Sequence, residues 1–472
     1  MSAVLTPDLC VIGAGSGGLS VAAAAAQMGA QVVLVERGAM GGDCLNYGCV
    51  PSKSLLAAAE LAVAWRRGEE LGVPCPEPQV DFAAVADSIA RVVARIAPHD
   101  SVERFEGLGV RVLHETARFA DPRTVRAGGT AIRSRRFVIA TGSAPTIPPI
   151  PGLAAVPYFT NETIFANRDR LTHLIVIGGG PVGVEIAQAY RRLGAAVTVL
   201  DAGRLLPRED AELAAALLAS LAQEGVAQRP AVAIARIERT GTGIAAVLGT
   251  GERIEGSHLL VAAGRTPNTT ALDLDAGGIA VGPHGIVVDR RLRTTNRRAF
   301  AVGDVAGGPQ FTHVAGYHAG IVIRNALFRM PARVDYRALP WVTYTEPELA
   351  QVGLTEAAAG AARHSKLRVV RWPFAENDRA QTERETAGEV KAVVRRDGRI
   401  LGATILGESA GELILPWALA LSQKLRIGAL ANLVVPYPTR GEASKRAAGE
   451  FYRPALFSPR TRALVRLLAR LG

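Results

Sequence analysis

One pattern occurs twice in this chain, and it dictates most of what the chain can fold into. Asp8-Leu9-Cys10-Val11-Ile12 is a short apolar run leading into Gly13-Ala14-Gly15-Ser16-Gly17-Gly18. An alanine-rich stretch to Gly29 follows, then a second apolar run, Gln31-Val32-Val33-Leu34-Val35-Glu36. The order strand, glycine turn, helix, strand is a βαβ unit. It returns as His173 to Ile177, Gly178-Gly179-Gly180-Pro181-Val182-Gly183, a helix to Gly194, and Ala196 to Asp201. Each copy ends on an acid at the same spacing, positions 13 and 36 in the first and 178 and 201 in the second. Gly13 and Gly178 make the tight turn, Gly15 and Gly180 let the backbone approach a pyrophosphate, and Gly18 and Gly183 let helix and strand pack closely. The helix N-terminus supplies N–H groups and the positive dipole end. Glu36 and Asp201 are placed to accept from ribose hydroxyls. One such motif is weak; two with matched spacing predict two dinucleotide sites.

The second feature follows the first glycine motif. Cys44 and Cys49 lie in Gly41-Gly42-Asp43-Cys44-Leu45-Asn46-Tyr47-Gly48-Cys49-Val50-Pro51-Ser52-Lys53. On a straight helix such a pair has Cα atoms about 8.6 Å apart, whereas a disulfide needs roughly 4.4–6.8 Å. The segment must be distorted if the pair closes, and Gly48 and Pro51 are the residues that would permit it. The other reading is two unrelated buried thiols. A thiolate needs a positive neighbour or a helix N-terminus, and Lys53 stands four positions after Cys49. The remaining cysteines are Cys10, read as a buried strand residue, and Cys75, between Pro74 and Pro76 in a connector; neither is assigned to a metal.

At 472 residues the chain has room for about three domains. Helices are expected over 52–67 and 81–107, and short strands over 110–139. A proline-rich hinge follows at Pro145, Pro148, Pro149 and Pro151. Residues 226–263 alternate as strands do. Strands are expected near 342–345 and 367–372, a hairpin at Asp397-Gly398, and apolar helices from about 409. The resulting division is 1–150, 151–280, 281–340, 341–458 and a tail, 459–472. The net charge of +11 is scattered along the chain without a helix-turn-helix or zinc-finger spacing, which argues against nucleic acid as a partner. No run of 18 apolar residues spans a membrane. The early first strand leaves no room for a signal peptide, and four cysteines without a framework suggest a reducing cytoplasm.

Together these motifs resemble the class I pyridine nucleotide–disulfide oxidoreductases, from about Asp8 to Tyr452. The resemblance implies an α/β fold with two Rossmann-like dinucleotide-binding domains and a C-terminal α+β dimerisation domain, as in glutathione reductase. Residues 1–150 and 281–340 would form the FAD-binding part, 151–280 the NAD(P)-binding domain, and 341–458 the interface of a homodimer. The first glycine motif corresponds to FAD and the second to NAD(P)H. The stretch from Thr295 to Gly303 and Asp304 resembles the family's second FAD signature, its acid on the ribityl chain. Ala140-Thr141-Gly142 and Ala263-Gly264-Arg265 resemble the chain-crossing motifs. By the same resemblance Cys44 and Cys49 form the redox-active disulfide, with Cys49 proximal to the flavin and Cys44 attacking substrate, and Lys53 pairs with Glu185 near the flavin.

The family's acid–base station acts on the partner subunit's disulfide, and in thiol-reducing members it reads His-Pro followed by Glu. Here the stretch is Val435-Pro436-Tyr437-Pro438-Thr439-Arg440-Gly441-Glu442. Tyr437 takes the histidine position and Glu442 keeps the acid. A histidine shuttles protons near neutrality; a tyrosine, with an ordinary pKa near ~10, holds its proton and serves as donor or soft ligand. That points away from ordinary dithiol chemistry. Mercuric reductases resemble this chain in having tyrosine there, although the C-terminal vicinal cysteines that family carries are absent.

Three functions follow. The first is a mercuric-reductase-like NAD(P)H:disulfide or metal-ion oxidoreductase. The second is dihydrolipoyl dehydrogenase or another dithiol, disulfide or quinone reductase. The third is a flavin-binding redox-sensing or docking subunit without turnover. Asp201 favours NADH over NADPH, although Arg204 and Arg208 follow closely. Pro181 stands where relatives often place a tyrosine lid, so an open nicotinamide pocket and leakage to O₂ are expected. In the tail, Leu464, Leu467, Leu468 and Leu471 share one helical face and Arg462, Arg466 and Arg470 the other. Such a helix either docks on its own subunit or contacts an anionic partner or the inner membrane face.

Overall fold

The computed structural model describes residues 4–68, 70–241, 243–362 and 367–470. It divides into two compact units, Met1–Ala202 with Arg229–Val334, and Gly203–Gln228 with Asp335–Gly472.

In the first unit, β1 (Leu9–Ile12), α1 (Ser16–Gln27) and β2 (Val32–Glu36) form the first βαβ unit. Next come α2 (Gly42–Asn46), α3 (Cys49–Val63), α4 (Phe82–Ile96), β3 (Val110–His114), β4 (Arg136–Ile139) and β5 (Ser143–Pro145). The second βαβ unit is β6 (His173–Ile177), α5 (Pro181–Arg192) and β7 (Ala196–Leu200). The chain then leaves for α6 (Ala211–Gln223) in the second unit and returns for β8 (His258–Val261), β9 (Arg265–Pro267), β10 (Ala299–Ala301) and α7 (Thr312–Ala326). The first glycine motif opens from a parallel sheet ordered β10-β4-β1-β2-β3, with Leu9 beside Val32 and Arg136. The second opens from β6, flanked in parallel by β7 and β8. Strand β1 is buried throughout, and so is β6 from its second residue. Both-face burial explains why they read as unbroken apolar runs rather than alternating ones.

The duplication extends to atomic detail. Gly13 has φ +105° and Gly178 φ +113°. A Cβ on Gly13 would lie 2.4 Å from the Ala140 carbonyl oxygen, and one on Gly178 2.3 Å from that of Ala262. A Cβ on Gly18 would lie 1.9 Å from the Gly13 oxygen, and one on Gly183 2.0 Å from that of Gly178. No other residue fits these four positions.

The helix expected over 81–107 is broken. After α4 come a short 3-10 turn, Ala97–Asp100, and a separate helix, Val102–Gly107. Pro98 cannot continue the hydrogen-bond ladder, and Ser101 caps the new start by accepting from Arg104 N at 3.3 Å. The helix expected from 52 begins earlier, at Cys49.

The second unit holds an antiparallel sheet ordered β11-β12-β15-β14-β13, from β11 (Pro340–Thr343), β12 (Glu348–Gly353), β13 (Leu367–Pro373), β14 (Glu389–Arg395) and β15 (Ile400–Gly407). Between β13 and β14 lies α8 (Asp378–Glu383); after β15 come α9 (Leu415–Ser422), α10 (Glu442–Glu450) and α11 (Pro459–Leu468). Trp417 and Phe374 are wholly buried in its core. Buried Lys391 meets Asp210, Glu212 and Glu356, each at 3.0 Å, so the excursion through α6 is fixed by a compensated charge. The tail forms the expected helix, α11, capped by Ser458. It is not docked on its own chain: none of its residues is buried, and Leu464, Leu467 and Leu468 are exposed. Leu471 lies outside the described residues.

Candidate active site

The two cysteines sit on two helices. α2 ends at Asn46 and α3 starts at Cys49, with Gly48 between them at φ −124° and ψ −114°. A Cβ on Gly48 would lie 3.0 Å from the Asp43 carbonyl oxygen and 3.2 Å from Cys44 Cα. The chain folds back at this glycine and brings the second sulfur to the first. Pro51 stands in the first turn of α3, where its missing N–H costs nothing. The segment is stitched to the first glycine loop: Gly41 N donates to Ala14 O at 2.9 Å, and a Cβ on Gly42 would meet Gly15 Cα at 2.6 Å.

Both cysteines are thiols here, and they are not equivalent. Cys49 is held at about 6, first by the hydrogen bond from Cys44, then by Thr312 and by the Lys53 charge, against burial and Glu185. Its place at the N-terminus of α3 acts the same way. Cys44 is pushed far above the ordinary thiol value, chiefly by that same hydrogen bond and by burial. The balance within the pair therefore tips toward thiolate at Cys49 and thiol at Cys44. Thr312 Oγ1 lies 3.3 Å from Cys49 Sγ, at the start of α7. Nothing in the spacing of the sequence singles it out; only its nearness to Asp304 in the chain hints at it. Lys53 Nζ donates to Glu185 Oε2 at 2.8 Å, and that glutamate side chain is 7% exposed. Cys10 is buried in β1 and pushed up to about 12 by burial; Cys75 is exposed in its connector.

The chain crossings meet beside this pair. β5 and β9 are antiparallel, with Thr266 opposite Ala144. Thr141 Oγ1 donates to Asn268 O at 2.7 Å, and Asn268 Nδ2 returns a bond to Thr141 O at 2.9 Å. Gly142 and Gly264 both have positive φ, +66° and +116°. Ser143 Oγ donates to Asp304 Oδ2 at 2.5 Å and accepts from Arg265 Nε at 2.7 Å. Burial raises the Asp304 carboxyl, opposed by Ser143 and Arg265. Gly303 N donates to Nδ1 of His318, a buried imidazole pushed down to about 4 by burial and hence neutral. Asn161 Nδ2 donates to Asp43 Oδ1 and to Tyr47 O, each at 3.1 Å. Asn161 and His318 lie outside any motif, and Asp43 stands inside the cysteine stretch without a spacing that marks it, which is why sequence reasoning missed all three.

These residues fit two dinucleotides. Ala14 N donates to Glu36 Oε2 at 2.5 Å, and Gly179 N donates to Asp201 Oδ2 at 2.7 Å, the same bond in both copies. Gly15 and Gly180 cap α1 and α5 in extended conformation. A Cβ on Gly180 would meet nothing within 4 Å, and one on Gly15 only Gly42 Cα at 3.8 Å, so the helix starts are open to a pyrophosphate. Glu36 and Asp304 would hold the ribose and ribityl parts of FAD.

In the second unit Tyr437 and Glu442 are near each other in sequence but not bonded. Tyr437 Oη donates to Asp378 Oδ2 at 2.8 Å, and Glu442 pairs with Arg446 at 2.8 Å. Among the described residues no group of three or more His, Cys, Asp or Glu side chains is placed to hold a metal ion. No helix among them is long and apolar enough to cross a membrane.

Two nucleotide loops around an asymmetric dithiol define a flavin-dependent disulfide reductase. Residues 7–319 match the family model for pyridine nucleotide-disulphide oxidoreductases, and 339–448 match that family's dimerisation domain. The chain belongs to this family, is an FAD- and pyridine-nucleotide-dependent oxidoreductase, and forms a homodimer. It is 39% identical to mercuric reductase of Streptomyces lividans over 460 residues, covering 94% of this chain and 96% of that one. It is 35% identical to dihydrolipoyl dehydrogenase of Geobacillus stearothermophilus, covering 93% and 95%. Among solved structures it is similar to LpdA of Mycobacterium tuberculosis, with TM-score 0.87, 28% identity and coverage of 94% and 99%. It is also similar to the Cu(II) complex of the HOCl-induced flavoprotein disulfide reductase RclA of Escherichia coli, with TM-score 0.84, 29% identity and coverage of 93% and 98%.

Proposed function

We propose that this enzyme is an NADH-dependent reductase of thiol-bound soft metal ions, with Hg(II) as the substrate to test first. The observation that carries the reading is the dithiol itself, with Cys49 at the start of α3, 3.3 Å from Thr312 Oγ1, and Cys44 on the helix before it; the lowered Cys49 and raised Cys44 agree with it. Similarity to mercuric reductases over 94% of the chain supports the same substrate class. The balance is NADH + Hg(SR)₂ + H⁺ → NAD⁺ + Hg + 2 RSH. The chemistry FAD supplies when bound is the passage of two electrons between NADH and the Cys44–Cys49 pair. Cys44 and Cys49 exchange for the thiolates on the metal; the proton released from Cys44 goes to a departing thiolate. Glu185 holds Lys53, whose ammonium favours the Cys49 thiolate. Tyr437 and Glu442 serve the partner subunit's pair.

Asp201 supports NADH, since its charge repels a 2′-phosphate. The tail supports a peripheral contact with an anionic lipid surface on the cytoplasmic side. Exposed Leu464, Val465, Leu467 and Leu468 oppose a face of Arg462, Arg466 and Arg470, and no acidic residue follows Glu450. Co-sedimentation with phosphatidylglycerol vesicles tests it; binding that survives removal of 459–472 sinks it.

The experiment for the main reading is an acceptor panel with each nicotinamide: Hg(II) in excess thiol, lipoamide, glutathione disulfide, quinones and O₂. NADH oxidation stimulated by Hg(II) is expected. Efficient NAD⁺ reduction by dihydrolipoamide, without Hg(II) stimulation, moves the enzyme to dihydrolipoyl dehydrogenase chemistry.

A further inference from the structure

The segment carrying Tyr437 is pinned to one short stretch of the second unit. Asn377, 3% exposed, caps α8 by accepting from Ala380 N at 3.0 Å, and its Nδ2 donates to Thr439 O at 3.1 Å. Thr439 Oγ1 donates back to Pro436 O at 2.8 Å. Arg440 pairs with Glu383 and Glu385, at the end of α8 and just beyond it. Between these anchors Asp378, the first residue of α8, accepts the phenolic proton of Tyr437 at 2.8 Å. The acid expected from the sequence to partner this position, Glu442, is committed to Arg446 instead.

The direction of that bond has a chemical consequence. A phenol has one proton and two lone pairs. With the proton engaged by a carboxylate, Tyr437 presents oxygen lone pairs outward. Lone pairs receive a metal cation or an S–H donor. They cannot protonate the thiolate leaving when a disulfide is cleaved, the task of a proton-carrying histidine.

We propose that Asp378 is a positioning residue that turns Tyr437 into an electron-pair donor, and so sets the preference of this enzyme for thiol-bound metal cations over disulfides. This rests on reading Tyr437 as the station of the proposed reaction. No covalent step is added: the Oη–H bond stays intact while the oxygen contacts the cation in passage to the thiols. The charged groups acting on the phenol are Asp378 from α8 and Glu442 from α10, and both raise its pKa, the Asp378 hydrogen bond most.

The test uses the full-length FAD-loaded dimer. In Asp378→Ala the ratio of Hg(II) to disulfide turnover should fall about tenfold, the worth of one hydrogen bond to a charged group. Asp378→Glu, which keeps an acceptor, should recover part of it. A second readout is independent of turnover: the ultraviolet titration of tyrosinate, taken as wild type minus Tyr437→Phe. Loss of Asp378 removes the larger cause of the raised pKa, so the midpoint should move to lower pH. An unchanged ratio and midpoint in Asp378→Ala, with Hg(II) turnover lost in Tyr437→Phe, overturns this inference and leaves the station intact. Full Hg(II) turnover in Tyr437→Phe overturns the reading of Tyr437 itself.

Discussion

Arg265 reaches across the chain crossing to Asp43, the residue before Cys44, with Nη2 3.1 Å from Oδ1. The same guanidinium bonds Ser143 and lies 3.8 Å from Asp304. One cation thus serves both the dithiol helix and the half-buried acid assigned to the flavin. Arg265→Leu should raise the Asp304 carboxyl further, because burial already raises it and the opposing charge is gone. We expect flavin retention to fall about tenfold, with partial recovery in Arg265→Lys, since an ammonium cannot reproduce the planar fork. The flavin-to-protein absorbance ratio after gel filtration reads this directly; full retention in Arg265→Leu refutes it.

The split between the cysteines predicts a pH profile. Cys49 is held at about 6, so in the reduced enzyme its alkylation by iodoacetamide should rise through that pH and level off above it. An ordinary cysteine would rise near ~8.5. Below about pH 5 the thiolate is protonated and the advantage disappears. In Cys44→Ala the leading cause of the depression is removed, so the midpoint should move upward. Mass spectrometry of the Cys49 peptide follows both, and a midpoint near that of free cysteine in the wild type would contradict the assignment.

Lys53 and Glu185 differ in burial, 37% against 7% exposed side chains. Removing the lysine takes a 2.8 Å ion-pair partner from a nearly buried carboxylate. Lys53→Met should cost about 2 kcal/mol, less than the ~3–5 of a wholly buried pair because the lysine is partly solvated. Lys53→Met with Glu185→Leu should recover part of the loss, since the buried carboxylate is removed together with the lysine that offset it. Urea titration of the two variants decides; a double variant no more stable than Lys53→Met would show that the pair is not the cause.

The features the sequence made legible were those whose physics is local. Gly13, Gly18, Gly178 and Gly183 are fixed by clashes within one βαβ turn, so their spacing alone carried the two turns. The break at Gly48 followed from the reach of a disulfide against the pitch of a helix. Long-range partners were not legible. Thr312 meets Cys49 across 263 positions, and Asp378 meets Tyr437 across 59. Glu442 kept its place in the motif yet bonded Arg446, one helical turn on, a local alternative the motif hides. The exposed tail helix was legible as a helix, but which surface its leucines meet is a tertiary matter.

Pro181 is the first residue of α5, as the open-pocket expectation requires. Its ring fixes φ and cannot swing over the nicotinamide. Aerobic NADH oxidation without any other acceptor should be measurable, and Pro181→Tyr should reduce it. An oxygen electrode gives the result; negligible oxygen uptake by the wild type rules the open pocket out.

The two glycine turns allow each to serve as a control for the other. Gly13→Ala and Gly178→Ala force the same clash, 2.4 and 2.3 Å to a carbonyl oxygen, at the same positive φ. The cost of a side chain in that backbone region, roughly 1–2 kcal/mol, is common to both, and the clash adds to it. What differs is the loop disturbed. Gly178→Ala should keep its flavin colour while the KM for NADH rises about tenfold or more. Gly13→Ala should shed flavin, and with it all turnover and the thermal stabilisation that bound flavin lends. Absorbance spectra and NADH titrations of the two variants separate the cases. Flavin loss in Gly178→Ala, with retention in Gly13→Ala, would reverse the assignment of the two nucleotide sites.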